Sequence, residues 1–234
     1  MRLHYVQHEP FEEPAEILAW ARKKDFVISS TLLFRGEELP SLSSFDWLVI
    51  MGGSMGVHDE TRYPWLVEEK RFIGAAIDSG KTILGVCLGA QLVGLVLGGA
   101  VEKNRHEEIG WFPVTLTEGA ATSKIFDGFS QEFMAFHWHA DTFAIPKGAA
   151  RLAESAGCRN QAFECGDGRI VALQFHIEVD RPSVTKMAQH LARKPVNGKY
   201  VQYPQDIIAA PDERYSEIRA LLHRMLDNMH RSSS

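Results

Sequence analysis

The chain has 234 residues, 45% hydrophobic and 24% charged, with a net charge of −5. That length suits one α/β domain, or a domain with a short appendage, and buries a core without disulfide or metal staples. The mildly acidic balance excludes the electrostatic footprint of a nucleic-acid binder, no Lys/Arg-rich block suggests an anionic membrane, and no apolar stretch approaches the ~20 residues that span a bilayer.

In chain order, Leu3 to Val6 reads as a strand, Glu12 to Lys24 as a helix and Phe26 to Leu33 as the next extended segment. Trp47-Leu-Val-Ile-Met51 is a continuous apolar run before Gly52-Gly53, the mark of a strand buried on both faces. Pro64 to Ser79 carries Leu66, Phe72, Ile73, Ala76 and Ile77 near helical spacing, with Gly80 after it. Thr82 to Val86 is a short buried strand, and Leu88 to Leu97 a buried helix ending at Gly98-Gly99. This alternation predicts a parallel α/β sheet. From Gly110 the period changes. Trp111 to Thr117, Phe133 to His137, Arg151 to Ser155, Gln161 to Glu164 and Arg169 to Phe175 read as shorter strands of a mixed sheet or hairpin layer. Met55 to Tyr63 and Asn104 to Glu108 read as loops lining a cleft, with Arg105, His106 and Glu107 turned to solvent. Pro182 to Ala192 returns to helix. Residues 194 to 213, holding four of the chain's prolines and glycines (Pro195, Gly198, Pro204, Pro211), read as an irregular crossing segment. Glu213 to His230 is a helix with Ile218, Leu221, Leu222, Met225, Leu226 and Met229 along one face. The tail Ser232-Ser233-Ser234 reads as disordered. We divide the chain into a catalytic domain, 1–194, and a segment 195–234 whose helix packs on that domain.

The N-terminal MRLHYVQHEP lacks the apolar core and cleavage site of a secretory signal. The three cysteines, Cys87, Cys158 and Cys165, form no disulfide framework, so a reducing, cytoplasmic location is expected. Cys158 and Cys165 have no metal-ligand spacing and read as packing or surface residues.

Gly85-Val86-Cys87-Leu88-Gly89 lies between a predicted strand and a predicted helix, the setting of a nucleophile elbow. The helix N-terminus behind Cys87 favours thiolate, so its pKa is expected below that of a free thiol. Ala172-Leu-Gln-Phe-His176-Ile-Glu178 places a histidine and an acid two residues apart, on one face of a strand. His176 then serves as general base and acid, with Glu178 orienting it. Met51-Gly52-Gly53-Ser54 follows a strand. The amides of Leu88 and Gly53 are natural oxyanion donors there, and no Lys-Ser/Thr follows that would make the loop a phosphate-binding P-loop.

Gly-Gly after a strand, G-V-C-L-G-A-Q and a late H-x-E together resemble the class I glutamine amidotransferases, nearest to the glutaminase domain of GMP synthase and its free-standing relatives. The resemblance covers roughly residues 40 to 190. It implies a flavodoxin-like three-layer α/β/α fold with a mixed, mainly parallel sheet. It further implies a Cys87-His176-Glu178 triad, an oxyanion hole from Gly53 and Leu88, and substrate contacts from Gly52, Gln91, Trp138 and His139. Gln91 lies one helical turn beyond Cys87 on the same face. The middle of the H-x-E motif is Ile177 where relatives often carry proline. Phe136-His137-Trp138-His139-Ala140-Asp141 resembles a S-H-G-D segment, with Trp138 and Ala140 in place of smaller or polar residues and glycine.

The implied reaction is hydrolysis of a γ-glutamyl amide through a thioester, releasing ammonia from glutamine, with no cofactor and no metal. A γ-glutamyl peptidase is the nearest alternative. A zinc hydrolase using His137, His139 and Asp141, and a non-catalytic regulator, are rivals of other classes. A small-molecule substrate is implied, while a homodimer and a separate synthase subunit are left open. Neither nucleic acid nor membrane is expected as a partner.

Overall fold

The computed structural model describes residues 1–191 and 198–232. Among the described residues ten strands form one sheet in the order β10-β5-β7-β8-β9-β4-β3-β1-β2, with β6 paired to β5. Its parallel half comprises β1 (Arg2–Gln7), β2 (Val27–Leu32), β3 (Trp47–Ile50), β4 (Thr82–Val86) and β9 (Ile170–Leu173). The other half is antiparallel: β5 (Val101–Leu116), β6 (Glu132–Phe143), β7 (Ala150–Glu154) and β8 (Ala162–Cys165). The short β10 (Tyr200–Val201) closes the edge parallel to β5.

Alternating side chains of each parallel strand feed opposite layers. Trp47 and Val49 of β3 join one core, while Leu48 and Ile50 join the other. The first core also takes Ile17, Trp20 and Ala21 of α1 (Ala15–Lys23), Val184, Met187 and Ala188 of α4 (Arg181–Leu191), and Ile218, Leu222 and Met225 of α6 (Asp212–Ser232). The second takes Leu66, Ile73 and Ala76 of α2 (Trp65–Asp78) and Leu88, Leu92 and Val93 of α3 (Leu88–Val96). The fold is therefore the expected three-layer α/β/α arrangement on a mixed sheet. The final helix lies on the first core, with Trp20 Nε1–H donating to Asp227 Oδ1 at 2.9 Å.

Three expectations change. The first helix begins at Ala15, after Pro14, so Glu12 belongs to the preceding loop and is buried. Asn104 to Glu108 is not a loop but part of β5, which runs beside β6 with a register shift between Lys103 and Glu108. An antiparallel ribbon tolerates this charged stretch because one face is solvated; Arg105 and Glu107 are exposed, while His106 is half-buried against the Tyr200 ring. Within the expected irregular segment, residues 194–197 lie outside the described residues, and a short α5 (Pro204–Ile208) starts with Pro204 in its first turn. The expected helical end at Ala192 and the terminal Ser233 and Ser234 also lie outside the described residues. No described helix is long and apolar enough to cross a membrane.

Candidate active site

β4 delivers Cys87 to the carboxyl edge of the sheet and α3 begins at the next residue. The turn is tight: Cys87 has φ 52°, in the left-handed region that disfavours side chains. Its amide donates to the Leu173 carbonyl at 2.7 Å, which ties the elbow to β9. Gly89 packs directly on the end of β3, where a β-carbon would collide with the Ile50 carbonyl oxygen, so the helix can start this close only with glycine there.

His176 lies beyond the regular end of β9, held by a two-way backbone bridge to Phe136 (3.1 and 2.8 Å). The expected strand alternation is thus replaced by one bridge, yet the pairing forms. His176 Nδ1–H donates to Glu178 Oε1 at 2.6 Å, with both side chains buried. Nε2 has no hydrogen-bond partner among the described residues. Burial opposes the charged ring, but the Glu178 carboxylate and the nearby Cys87 sulfur hold the His176 pKa well above its ordinary value.

The Cys87 thiol does not follow the expected depression. Burial pushes it up, with His176 and the Leu88 amide pulling it back. Sγ points to the Trp138 carbonyl oxygen at 3.6 Å. A helix N-terminus favours thiolate, but a site only 5% exposed withholds the water that would solvate one.

The other predicted contacts differ in availability. Gln91 is buried, its Nε2 donating to Gln174 Oε1 at 3.1 Å and approaching the Asp141 carbonyl at 3.4 Å. Gly52 lies beside Cys87, a β-carbon on it being 3.3 Å from Cys87 Cβ. Trp138 is half-buried. His139 is sealed inside, with Nδ1–H donating to the Asp141 carbonyl at 3.0 Å and Nε2 at 3.1 Å from Glu108 Oε2. Met55 brings its loop to within contact of Gly53, while Val57 joins the core.

The set His137, His139 and Asp141 does not assemble, because Asp141 pairs with Lys103 at 2.8 Å. Instead Glu108, His137 and His139 cluster, with donor atoms within 4.8 Å of one another. The chain's own groups already serve that cluster. Gln161 Nε2–H donates to Glu108 Oε2 at 2.6 Å and Ser155 Oγ–H to Oε1 at 2.7 Å. Burial pushes His137 down to about 3 despite the facing Glu108. Both Glu108 oxygens are thus held by the chain's own donors, while His137 Nε2, His139 Nε2 and Gln161 Oε1 have no hydrogen-bond partner among the described residues.

Three residues of the site escape the sequence reading. Glu12 reaches from the β1–α1 loop to lie against Gly52, its Oε2 buried and unpartnered. Burial lifts its pKa to about 7, with His176 and His8 pulling it down and Glu178 and Glu9 adding to the rise. His8 and Glu69 form a second buried pair behind the Gly52-Gly53 loop. Their signals are faint but present. Loops at the carboxyl ends of parallel strands carry function, and Glu69 falls in phase with Leu66, Ile73 and Ala76 on the buried stripe of α2.

Comparison with known proteins agrees with this architecture. The family model for glutamine amidotransferase class-I matches residues 14–192. The glutamine amidotransferase-like protein YfeJ of Salmonella typhimurium is 31% identical over 233 residues, covering 98% of this chain and 97% of that protein. The glutamine-hydrolyzing GMP synthase subunit of Thermoplasma acidophilum is 28% identical over 163 residues, covering 69% of this chain and 77% of its own length. The crystal structure of a glutamine amidotransferase from Thermotoga maritima superposes with a TM-score of 0.87 at 29% identity, covering 98% of this chain and 97% of that one. The elbow, the fold and these matches together make the chain a member of the class I glutamine amidotransferase family.

Proposed function

We propose that this chain is a cysteine-dependent amidase that hydrolyses a γ-glutamyl amide, releasing ammonia when the substrate is glutamine. The observation that carries the reading is a thiol on a strained turn, electrically coupled to a histidine whose far nitrogen is fixed to Glu178 at 2.6 Å. His176 takes the Cys87 proton, and the sulfur attacks the γ-carboxamide carbon. The amides of Leu88 and Gly53 stabilise the oxyanion. As the C–N bond breaks, His176 protonates the departing nitrogen and leaves a γ-glutamyl thioester. His176 then takes a proton from water, whose oxygen attacks the thioester. Glutamate departs and the thiol is restored.

Gly52, Gln91 and Trp138 border the substrate in this reading, whereas the enclosed ring of His139 is engaged by Glu108 and the Asp141 carbonyl. No cofactor or metal takes part. Free cysteines at 87, 158 and 165 fit a reducing cytoplasm. The relatives named as GMP synthase subunits make a separate synthase chain the natural consumer of ammonia. A γ-glutamyl peptidase is the second reading. It is favoured by one observation, an indole at the residue whose carbonyl meets the thiol, where a bulkier leaving group would gain an apolar wall.

Mass spectrometry of the protein incubated with L-glutamine and, separately, with γ-glutamyl dipeptides tests both. Cys87→Ala is expected to lower turnover about 10⁴-fold or more. Cleavage of dipeptides alone selects the peptidase, and equal turnover by Cys87→Ala overturns the triad.

A further inference from the structure

An oxyanion donor at Gly53 works only if the peptide before it shows the cleft its N–H edge. The Gly52 carbonyl and the Gly53 N–H belong to one planar unit. That unit is trans, as the described residues hold no cis peptide, so the two groups point in opposite directions. Whatever grips the Gly52 oxygen therefore aims the Gly53 amide.

The grip is His8. Its Nδ1–H donates to the Gly52 oxygen at 3.0 Å, and its Nε2–H donates to Glu69 Oε1 at 2.7 Å. A carbonyl and a carboxylate only accept, so the ring holds a proton on each nitrogen and Glu69 balances the charge. Burial opposes that charge, yet Glu69 and the Gly52 carbonyl raise the pKa of His8 above its ordinary value. Both side chains are 0% exposed, and the imidazole stacks on Trp65 with centroids 5.5 Å apart. The loop is closely packed beside this clamp. A β-carbon on Gly53 would meet Met55 Sδ at 2.5 Å, Leu88 Cδ2 at 2.9 Å and His8 Cβ at 3.0 Å. The Gly53 N–H itself donates to no other described residue.

We propose that the buried His8–Glu69 pair is a positioning device that holds the Gly52–Gly53 peptide with its N–H turned to the reacting carbonyl, so that the oxyanion hole is assembled at rest. The inference rests on the amidase reading above. Neither side chain touches substrate. His8 acts through the peptide plane, and Glu69 acts through His8.

The test compares wild type with His8→Leu, His8→Asn and the double variant His8→Leu/Glu69→Leu. His8→Leu is expected to lower kcat about 10²–10³-fold, the size of losing one oxyanion donor, with KM within about threefold of wild type. His8→Asn retains a donor where Nδ1 lies and should recover at least about tenfold of that loss. Because His8→Leu strands a buried carboxylate, the double variant keeps the test valid: an apolar pair there folds well, and it should be as slow as the single variant. Crystal structures should show the Gly52–Gly53 peptide flipped in the double variant and unflipped in His8→Asn. A folded double variant with wild-type kcat, or with its peptide unflipped, overturns the inference. Should wild type turn over no γ-glutamyl amide, the amidase reading fails, and the peptide orientation in the crystals still decides the clamp.

Discussion

Two buried histidine–glutamate pairs both face Glu12, and they differ in one nitrogen. His176 and Glu178 meet at 2.6 Å, and His8 and Glu69 at 2.7 Å. All four side chains are almost fully enclosed. In the first pair the second ring nitrogen is unpartnered and the ring is coupled to a thiol; in the second it is spent on the Gly52 carbonyl. A free nitrogen leaves a proton exchangeable with a reacting group, whereas an engaged one converts the same imidazole into a rigid strut. The chemistry of a buried histidine is thus set by its remaining nitrogen more than by its carboxylate.

The largest expected effect breaks the comparison at its active member. His176→Ala should reduce single-turnover cleavage of a γ-glutamyl amide by about 10³–10⁴-fold or more with the fold intact. A rate within tenfold of wild type would put the proton shuttle elsewhere. Next, Glu69→Leu alone should cost about 3–5 kcal/mol in urea unfolding, since it leaves the His8 charge buried and unmatched, and adding His8→Leu should restore most of it. Additive losses in the double variant would show that the two residues are not a pair.

The smallest effect concerns Glu12, the acid between the pairs. Its pKa is about 7 in the fold against an ordinary 4.5. Between those values the unfolded chain has released the proton and the native chain keeps it, so native stability falls as pH rises through this window. The loss amounts to about 3 kcal/mol by pH 8. Glu12→Gln should remove it, so the wild-type and variant stability curves should separate by that amount between pH 4.5 and pH 8. Parallel curves would show that Glu12 ionises as it does in water.

The parallel half was legible because burial on both faces writes itself as uninterrupted apolar runs. Trp47 to Ile50 is one, and Thr82 to Val86 has the bounds expected. The antiparallel half was less so. β5 starts ten residues before the predicted Trp111 because Glu102 to Glu107 is polar, and only pairing with β6, a contact distant in sequence, makes it a strand. At the candidate site, Cys87, His176 and Glu178 sit in local motifs, so the β4–α3 turn at Cys87 and the His176–Glu178 contact were legible from short stretches of sequence. Glu12 instead reads as helical in sequence, since a glutamate before a helical pattern looks like its first turn. Pro14 stops that helix short, and burial beside His176 is a tertiary fact. The raised Cys87 pKa has the same origin: local sequence shows the helix start but not the enclosure.

The positive φ at Cys87 has a consequence on an evolutionary scale. A side chain held in that region costs about 1–2 kcal/mol, and glycine alone escapes the cost. Loss of the thiol to glycine would therefore be a downhill step for the scaffold, and only selection on turnover opposes it. Decay into a stable but inert descendant is easier than the return, and a glycine at the elbow of any inert descendant would be the scar of that asymmetry.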